Sequence, residues 1–190
     1  MHAQLSAIVD DLQAAEERVH LLRRWLPRDG WSARQAPGRW SPAECIAHLN
    51  LTSHAMLPLL HAGLREVAAG PNPAAPKYRR GVVGWAVWTL IAPSNGLRTR
   101  TLPAFVPSGE ESPESVVAEF TRLQSEIIAC VHAADGLPID RVTLRSPFDG
   151  RVRCNLYAAL TLVPRHQHRH ALQAERAAGM PVLERSALAV

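Results

Sequence analysis

Two histidines, His166 and His170, stand one helical turn apart within Val163-Pro-Arg-His-Gln-His-Arg-His-Ala-Leu-Gln173. In a helix, side chains at i and i+4 lie one above the other, so both imidazoles can point at one metal ion. His168, between them, points elsewhere. The pattern supplies two ligands, and a metal site needs at least a third from another element. His48, on an inward position of an earlier helix, is the candidate third. Three neutral imidazoles suit zinc and leave a fourth position for water or substrate. Nickel, ferrous iron and manganese are open to the same donors. Nine histidines in 190 residues make such a spacing ordinary by chance. A polar helix end carrying surface histidines therefore competes with the metal reading.

Four segments with helical apolar periodicity must position these residues. In the first, Leu5, Ile8, Leu12, Ala15, Val19, Leu22 and Leu26 recur by threes and fours until Pro27 and Gly30. The second opens on Trp40-Ser-Pro-Ala-Glu44: Ser41 is an N-cap, Pro42 fits the first helical position and Glu44 completes a capping box. Its inward stripe is Cys45, His48, Leu49, Thr52, Met56, Leu59 and Gly63, with His54 off it and His61 at its edge. Pro58 predicts a bend or the end of the regular helix. The third starts at Ser112-Pro-Glu114, with Val116, Phe120, Leu123, Ile127 and Val131 inward, and Gly136 and Pro138 stop it. The fourth is predicted from about Val152 to Ala178. Its face reads Leu156, Ala159, Leu160, Val163, His166, His170, Gln173 and Ala177, apolar first and polar at the histidines. A core face should not carry two imidazoles and an amide without partners. Pro164 predicts a kink beside them, and Gly179 ends the helix.

The connections are unequal. Gly70 to Lys77 and Pro93 to Gly109 read as loops, and the apolar run Val82 to Ala92 between them as a short helix or an extended lid. Arg141 to Gly150 reads as a connector with a turn at Asp149-Gly150. No strand alternation stands out. The expected fold is all-α: a four-helix bundle with a long insertion between the second and third helices. Residues 1–180 would form one helical-bundle domain and 181–190 a C-terminal tail.

Composition narrows the function. Hydrophobic residues make up 47% of the chain, too many for a disordered one. A net charge of +4 comes from acids and bases mixed along the chain, with no basic run interleaved with aromatics, so no nucleic-acid partner is expected. Cys45, Cys130 and Cys154 are widely spaced and give no disulfide framework. Free thiols suit a reducing cytoplasm. The opening Met1 to Ser6 has no signal-peptide pattern, and the apolar run at 82–92 is far short of the ~20 residues that span a bilayer. A cytoplasmic protein without a membrane partner is expected.

Three motifs in order carry a resemblance over nearly the whole chain: Trp40-Ser-Pro-Ala-Glu-Cys-Ile-Ala-His48, then Ser146-Pro-Phe-Asp-Gly150, then His166-x-x-x-His170-Ala-Leu-Gln173. Together they resemble the DinB/YfiT-like superfamily of metal-binding four-helix bundles. The resemblance implies a divalent metal held by His48, His166 and His170, with zinc first and nickel, iron or manganese open. It implies a homodimer. It also implies a small-molecule substrate, with a low-molecular-weight thiol among the candidates, in a transferase or hydrolase reaction. The alternative is a non-catalytic metal- or ligand-binding stress protein. The long insertion departs from the family pattern and could cover the site. Its Trp85–Trp88 segment and the helix face near Gln173 are expected to form the pocket mouth.

Nearby residues have plain readings. Cys45, one turn before His48, is a buried core thiol or a soft fourth ligand. Gln173 joins a pocket hydrogen-bond network or sits on the helix surface. Trp40 staples the second helix, and Glu44 caps it rather than serving as a base.

Overall fold

The apolar stripes become helices whose ends follow the capping chemistry. In the computed structural model, which describes residues 1–70, 77–93, 101–109 and 111–180, α1 covers Ala3–Trp25, α2 Pro42–Ala68, α3 Gly81–Leu90, α4 Pro113–Ala133 and α5 Leu156–Ala177. At the start of α2, the Ser41 hydroxyl accepts from the Glu44 amide at 3.2 Å. The Glu44 carboxylate accepts from the Ser41 amide at 2.8 Å. This reciprocal box satisfies two amides that a helix N-terminus leaves without intrahelical partners. Ser112 caps α4 and Asn155 caps α5, each accepting from the amide three residues on. Pro58 does not end α2, and α5 continues through Pro164.

Helices α1 and α2 each pack against both α4 and α5, so α1 lies diagonal to α2 across a four-helix bundle. Leu5, Leu12, Leu60, Ile127 and Leu160 share one apolar cluster. Val19, Leu22, Trp31, Ile46, Leu49 and Phe120 share another. At ~1.5–3 kcal/mol per fully buried large side chain, these contacts hold α2 and α5 side by side. Two buried glutamines pair reciprocally: the Gln167 amide donates to Gln124 at 2.8 Å, and Gln124 donates back at 3.2 Å and to the Leu12 carbonyl at 2.5 Å.

Helix α3 belongs to the insertion and lies outside the bundle's four helices, on α5 and the neighbouring hairpin. Gly84 makes that approach possible: a Cβ there would come within 2.5 Å of the Ala158 Cβ. The hairpin keeps the expected turn at Asp149-Gly150 but corrects the expectation that its flanks form no strand. Strands β1 (Thr143–Arg145) and β2 (Arg153–Asn155) pair antiparallel, with Leu144 opposite Cys154 and Arg145 opposite Arg153. Pairing occupies 153–155, so α5 starts at Leu156 rather than near Val152. The Ser146-Pro-Phe-Asp-Gly150 motif is the hairpin tip, closed by the Ser146 amide donating to the Val152 carbonyl at 2.9 Å and the Val152 amide to the Asp149 carbonyl at 2.9 Å. No helix among the described residues is long and apolar enough to cross a membrane. The tail at 181–190, and most of the loop at 70–77, lie outside the described residues.

Candidate metal centre

Packing of α2 on α5 brings the three singled-out histidines together. His48 lies two turns past the α2 cap. On α5, His166 and His170 follow the apolar residues Leu160 and Val163 on the same stripe. Ring centroids are 4.5 Å apart for His48–His170 and for His166–His170, and 5.3 Å for His48–His166. One nitrogen from each ring lies within 4.8 Å of the other two, a group that could hold a divalent metal ion.

Two features of the donor set fit such an ion. The His48 Nδ1 lies 2.7 Å from the Phe105 carbonyl. A carbonyl only accepts, so Nδ1 carries the proton and Nε2 keeps its lone pair. That is the orientation a neighbouring acceptor imposes on metal-ligating imidazoles. His170 is buried, and its Nδ1 has no hydrogen-bond partner. A buried polar atom left so costs ~1–3 kcal/mol, and a ligand that engages the ring changes that balance.

Electrostatics keep the rings neutral. Burial pushes the His166 pKa down to about 3, with the neighbouring His48 and Arg169 adding to the effect. Burial, then His166 and His48, push His170 well below its ordinary value, while the adjacent Gln173 amide acts weakly the other way. Burial also lowers His48, against the opposing Phe105 bond. A neutral imidazole is the form that binds a metal.

The DinB superfamily model matches residues 11–174, which include all three histidines, the α2 cap and the hairpin. The chain belongs to the DinB superfamily. No curated protein and no solved structure matches it.

In this DinB-superfamily chain the other residues near the histidines sort themselves by contact. His168 turns away from the cluster, as expected, but it is buried rather than a surface residue. Its Nδ1 lies 3.3 Å from Arg18, and Arg18 in turn binds Glu175 through two bonds of 2.6 and 2.7 Å. These contacts tie the back of α5 to α1. Cys45 packs in the apolar core, and burial, reinforced by the charge of Glu44, pushes its thiol up to about 12. It is a core thiol and stands outside the three-histidine group. Glu44 is committed to the cap and to Arg34, which donates to it through Nε at 2.9 Å and also through a terminal nitrogen.

Two site residues were not legible as such in the sequence. The Trp40 ring stands 4.9 Å from His48 and 6.0 Å from His170, so it walls the cluster besides preceding the α2 cap. Phe105, from the short 3-10 turn Pro103–Phe105, orients His48 by its carbonyl and meets Phe148 of the hairpin tip edge to face, with centroids 4.9 Å apart. The position of Trp40 beside a strong cap was visible, but the Phe105 contact depends on loop geometry alone.

The histidines lie in the wall of a cleft of about 1390 Å³ between α2, α5, the hairpin and the insertion. Gln173 lines it, as expected. Of the Trp85–Trp88 segment, only Val87 lines it, and neither tryptophan does. Trp85 faces outward at 60% exposure. Trp88 is held between Arg80 and Arg165, with guanidinium-to-ring distances of 4.6 and 3.4 Å. The cleft takes Val87 and Leu90 from α3 and Ile91 from its C-cap. The arginine contacts fix the rotation of α3 and so decide which of its two apolar faces turns inward.

Proposed function

We propose that this DinB-superfamily protein is a metal-dependent enzyme acting on small molecules, of the thiol-transferase or hydrolase type. His48, His166 and His170 are the protein ligands in this reading, and zinc is the first candidate ion, with nickel, iron and manganese open to the same donors. The observation that carries the reading is the convergence of three neutral imidazoles, one with its tautomer set by the Phe105 carbonyl, in the wall of a large cleft. A divalent ion held there would supply Lewis acidity, easing ionisation of a thiol or water and polarising an electrophile.

The chain's own residues do the rest. The Phe105 carbonyl holds the His48 proton on Nδ1 and keeps Nε2 available. The i,i+4 spacing on α5 holds His166 and His170 on one face. Trp40 covers one side of the cluster with a ring. Leu90 and Ile91 line the cleft with apolar surface that can hold the body of a substrate and exclude water from it.

Elemental analysis of the purified protein should find about one divalent ion per chain. Metal-loaded protein should turn over at least one member of a panel of thiol–electrophile pairs and hydrolase substrates, and chelation should abolish that turnover. A metal-loaded protein inert across the panel would favour the non-catalytic binding protein instead.

A further inference from the structure

We propose that the cleft selects an anionic small molecule with an apolar body, its negative group held by arginines at the rim. This rests on the cleft being the substrate site. Among the described residues, the charged ones lining the cleft, histidines aside, are Arg39, Arg145, Arg169 and Arg176 against one carboxylate, Asp149. That carboxylate is already engaged, accepting from the Arg151 amide at 2.9 Å across the hairpin tip. Arg39, Arg145 and Arg176 make no ion pair among the described residues. Outside the cleft, Arg18, Arg23, Arg24, Arg34 and Arg122 lie within 3 Å of a carboxylate, while others, Arg65 and Arg153 among them, make no ion pair among the described residues. What sets the cleft arginines apart is their gathering around one cavity.

Two local features show where the arginines sit. On the hairpin, the register sets Arg145 directly opposite Arg153 on one face of the sheet. Like charges in that relation destabilise a strand pair, so packing gives no reason for the arrangement, whereas an anion beside Arg145 would relieve it. At the other rim, the Gln35 amide donates to the Arg176 carbonyl at 2.7 Å. This bond draws the loop carrying Arg39 against the last turn of α5. Cations therefore flank the cleft from the hairpin, from α5 and from the loop before α2. Between them the walls are apolar, including Leu90, Phe105, Phe148 and Leu172. A cleft of one sign with low-dielectric walls focuses its field and draws in ligands of the opposite charge. A neutral ligand would leave those guanidinium groups unused, and a cationic one would be repelled.

The test uses two fluorescent probes with the same aromatic body: 8-anilinonaphthalene-1-sulfonate, which is anionic, and N-phenyl-1-naphthylamine, which is neutral. Both are titrated into metal-loaded and chelated full-length protein, at low and high salt. The sulfonate should bind more tightly than the neutral probe, and salt should weaken only the sulfonate. Arg145→Gln and Arg176→Gln should each weaken sulfonate binding about threefold, and the double variant about tenfold. The neutral probe should be unaffected, as should Arg65→Gln, a control outside the cleft. Thermal melts confirm that each variant is folded. Equal affinity for the two probes would overturn the proposal, as would sulfonate binding unchanged in the double variant or weakened equally by Arg65→Gln. Loss of the arginine effect only on chelation would also overturn it, by assigning the anion to the metal. Metal content is measured separately, so a protein without metal that still discriminates the probes would sink the enzyme reading and leave this one standing.

Discussion

The imidazole from α2 and the pair from α5 are held by different means, and this predicts how substitutions behave. His48 is oriented from outside its own helix by the Phe105 carbonyl. His166 and His170 orient each other through helical spacing. Replacing any one with Ala should lower metal content sharply in elemental analysis. His168→Ala should leave metal content unchanged, because that ring faces Arg18 on the other side of α5. It should instead lower stability by ~1–2 kcal/mol through the lost contact. Metal loss in His168→Ala equal to that in His166→Ala would mean that the helix faces are assigned wrongly.

The same residues set a pH response in the metal-free protein. The folded-state pKa of His166 is about 3, below the ~6.5 of an unfolded histidine. His48 and His170 are shifted in the same direction. Between these values the unfolded chain binds more protons than the folded one, so stability is present above pH ~6.5 and falls as pH drops. The histidine effect is separable between pH ~6.5 and ~5, above the range where carboxylates titrate. Over that window His166→Gln should show a shallower decline of melting temperature than the chelated wild type. The difference should be on the order of 1–2 kcal/mol. Parallel slopes for the two proteins would remove the histidines as its source.

At the scale of elements, what was legible was whatever repeats or caps locally. The stripe from Leu5 to Leu22, the Ser41–Glu44 box and the Ser112 cap are local signals, and the helices follow them. The hairpin was not legible because strands of three residues are too short to show alternation, and their partners come from across a turn. The bundle placement of His48 beside His170 was legible from two stripes. Trp40 and Phe105 were not, since their closeness to the rings depends on how the loops fold back. Helix α3 is the intermediate case: its apolar run announced a short helix, but apolar residues on both faces gave no inward side. Gly84 and the Arg80–Trp88–Arg165 stack decide it. Gly84→Ala places a Cβ 2.5 Å from that of Ala158. The expected cost is ~1–3 kcal/mol of overpacking, or displacement of α3 with a change in Trp fluorescence. A variant with unchanged melting temperature and unchanged emission would show that α3 does not pack against α5 at this point.

Across the whole molecule, the proposed ligands join helices from opposite halves of the chain. Helix α2 brings one imidazole and α5 two, and α2 and α5 meet only through tertiary packing. An ion bound by all three favours the folded state over the unfolded chain, in which these donors are dispersed. Such a ligand stabilises by about 2.7 kcal/mol when free at a hundred times its dissociation constant. For a chain of this size that corresponds to a rise of roughly 5–10 °C in melting temperature. The metal-loaded wild type should therefore melt above the chelated protein by about that margin, and the margin should grow with free metal concentration. Each of His48→Ala and His166→Ala should erase it, whatever either variant does to the stability of the metal-free fold, because two imidazoles bind far more weakly than three. Calorimetry of the three proteins with and without zinc measures this directly. Persistence of the full margin in His48→Ala would place the ion on α5 alone, and the bridging of α2 to α5 by metal would have to be abandoned.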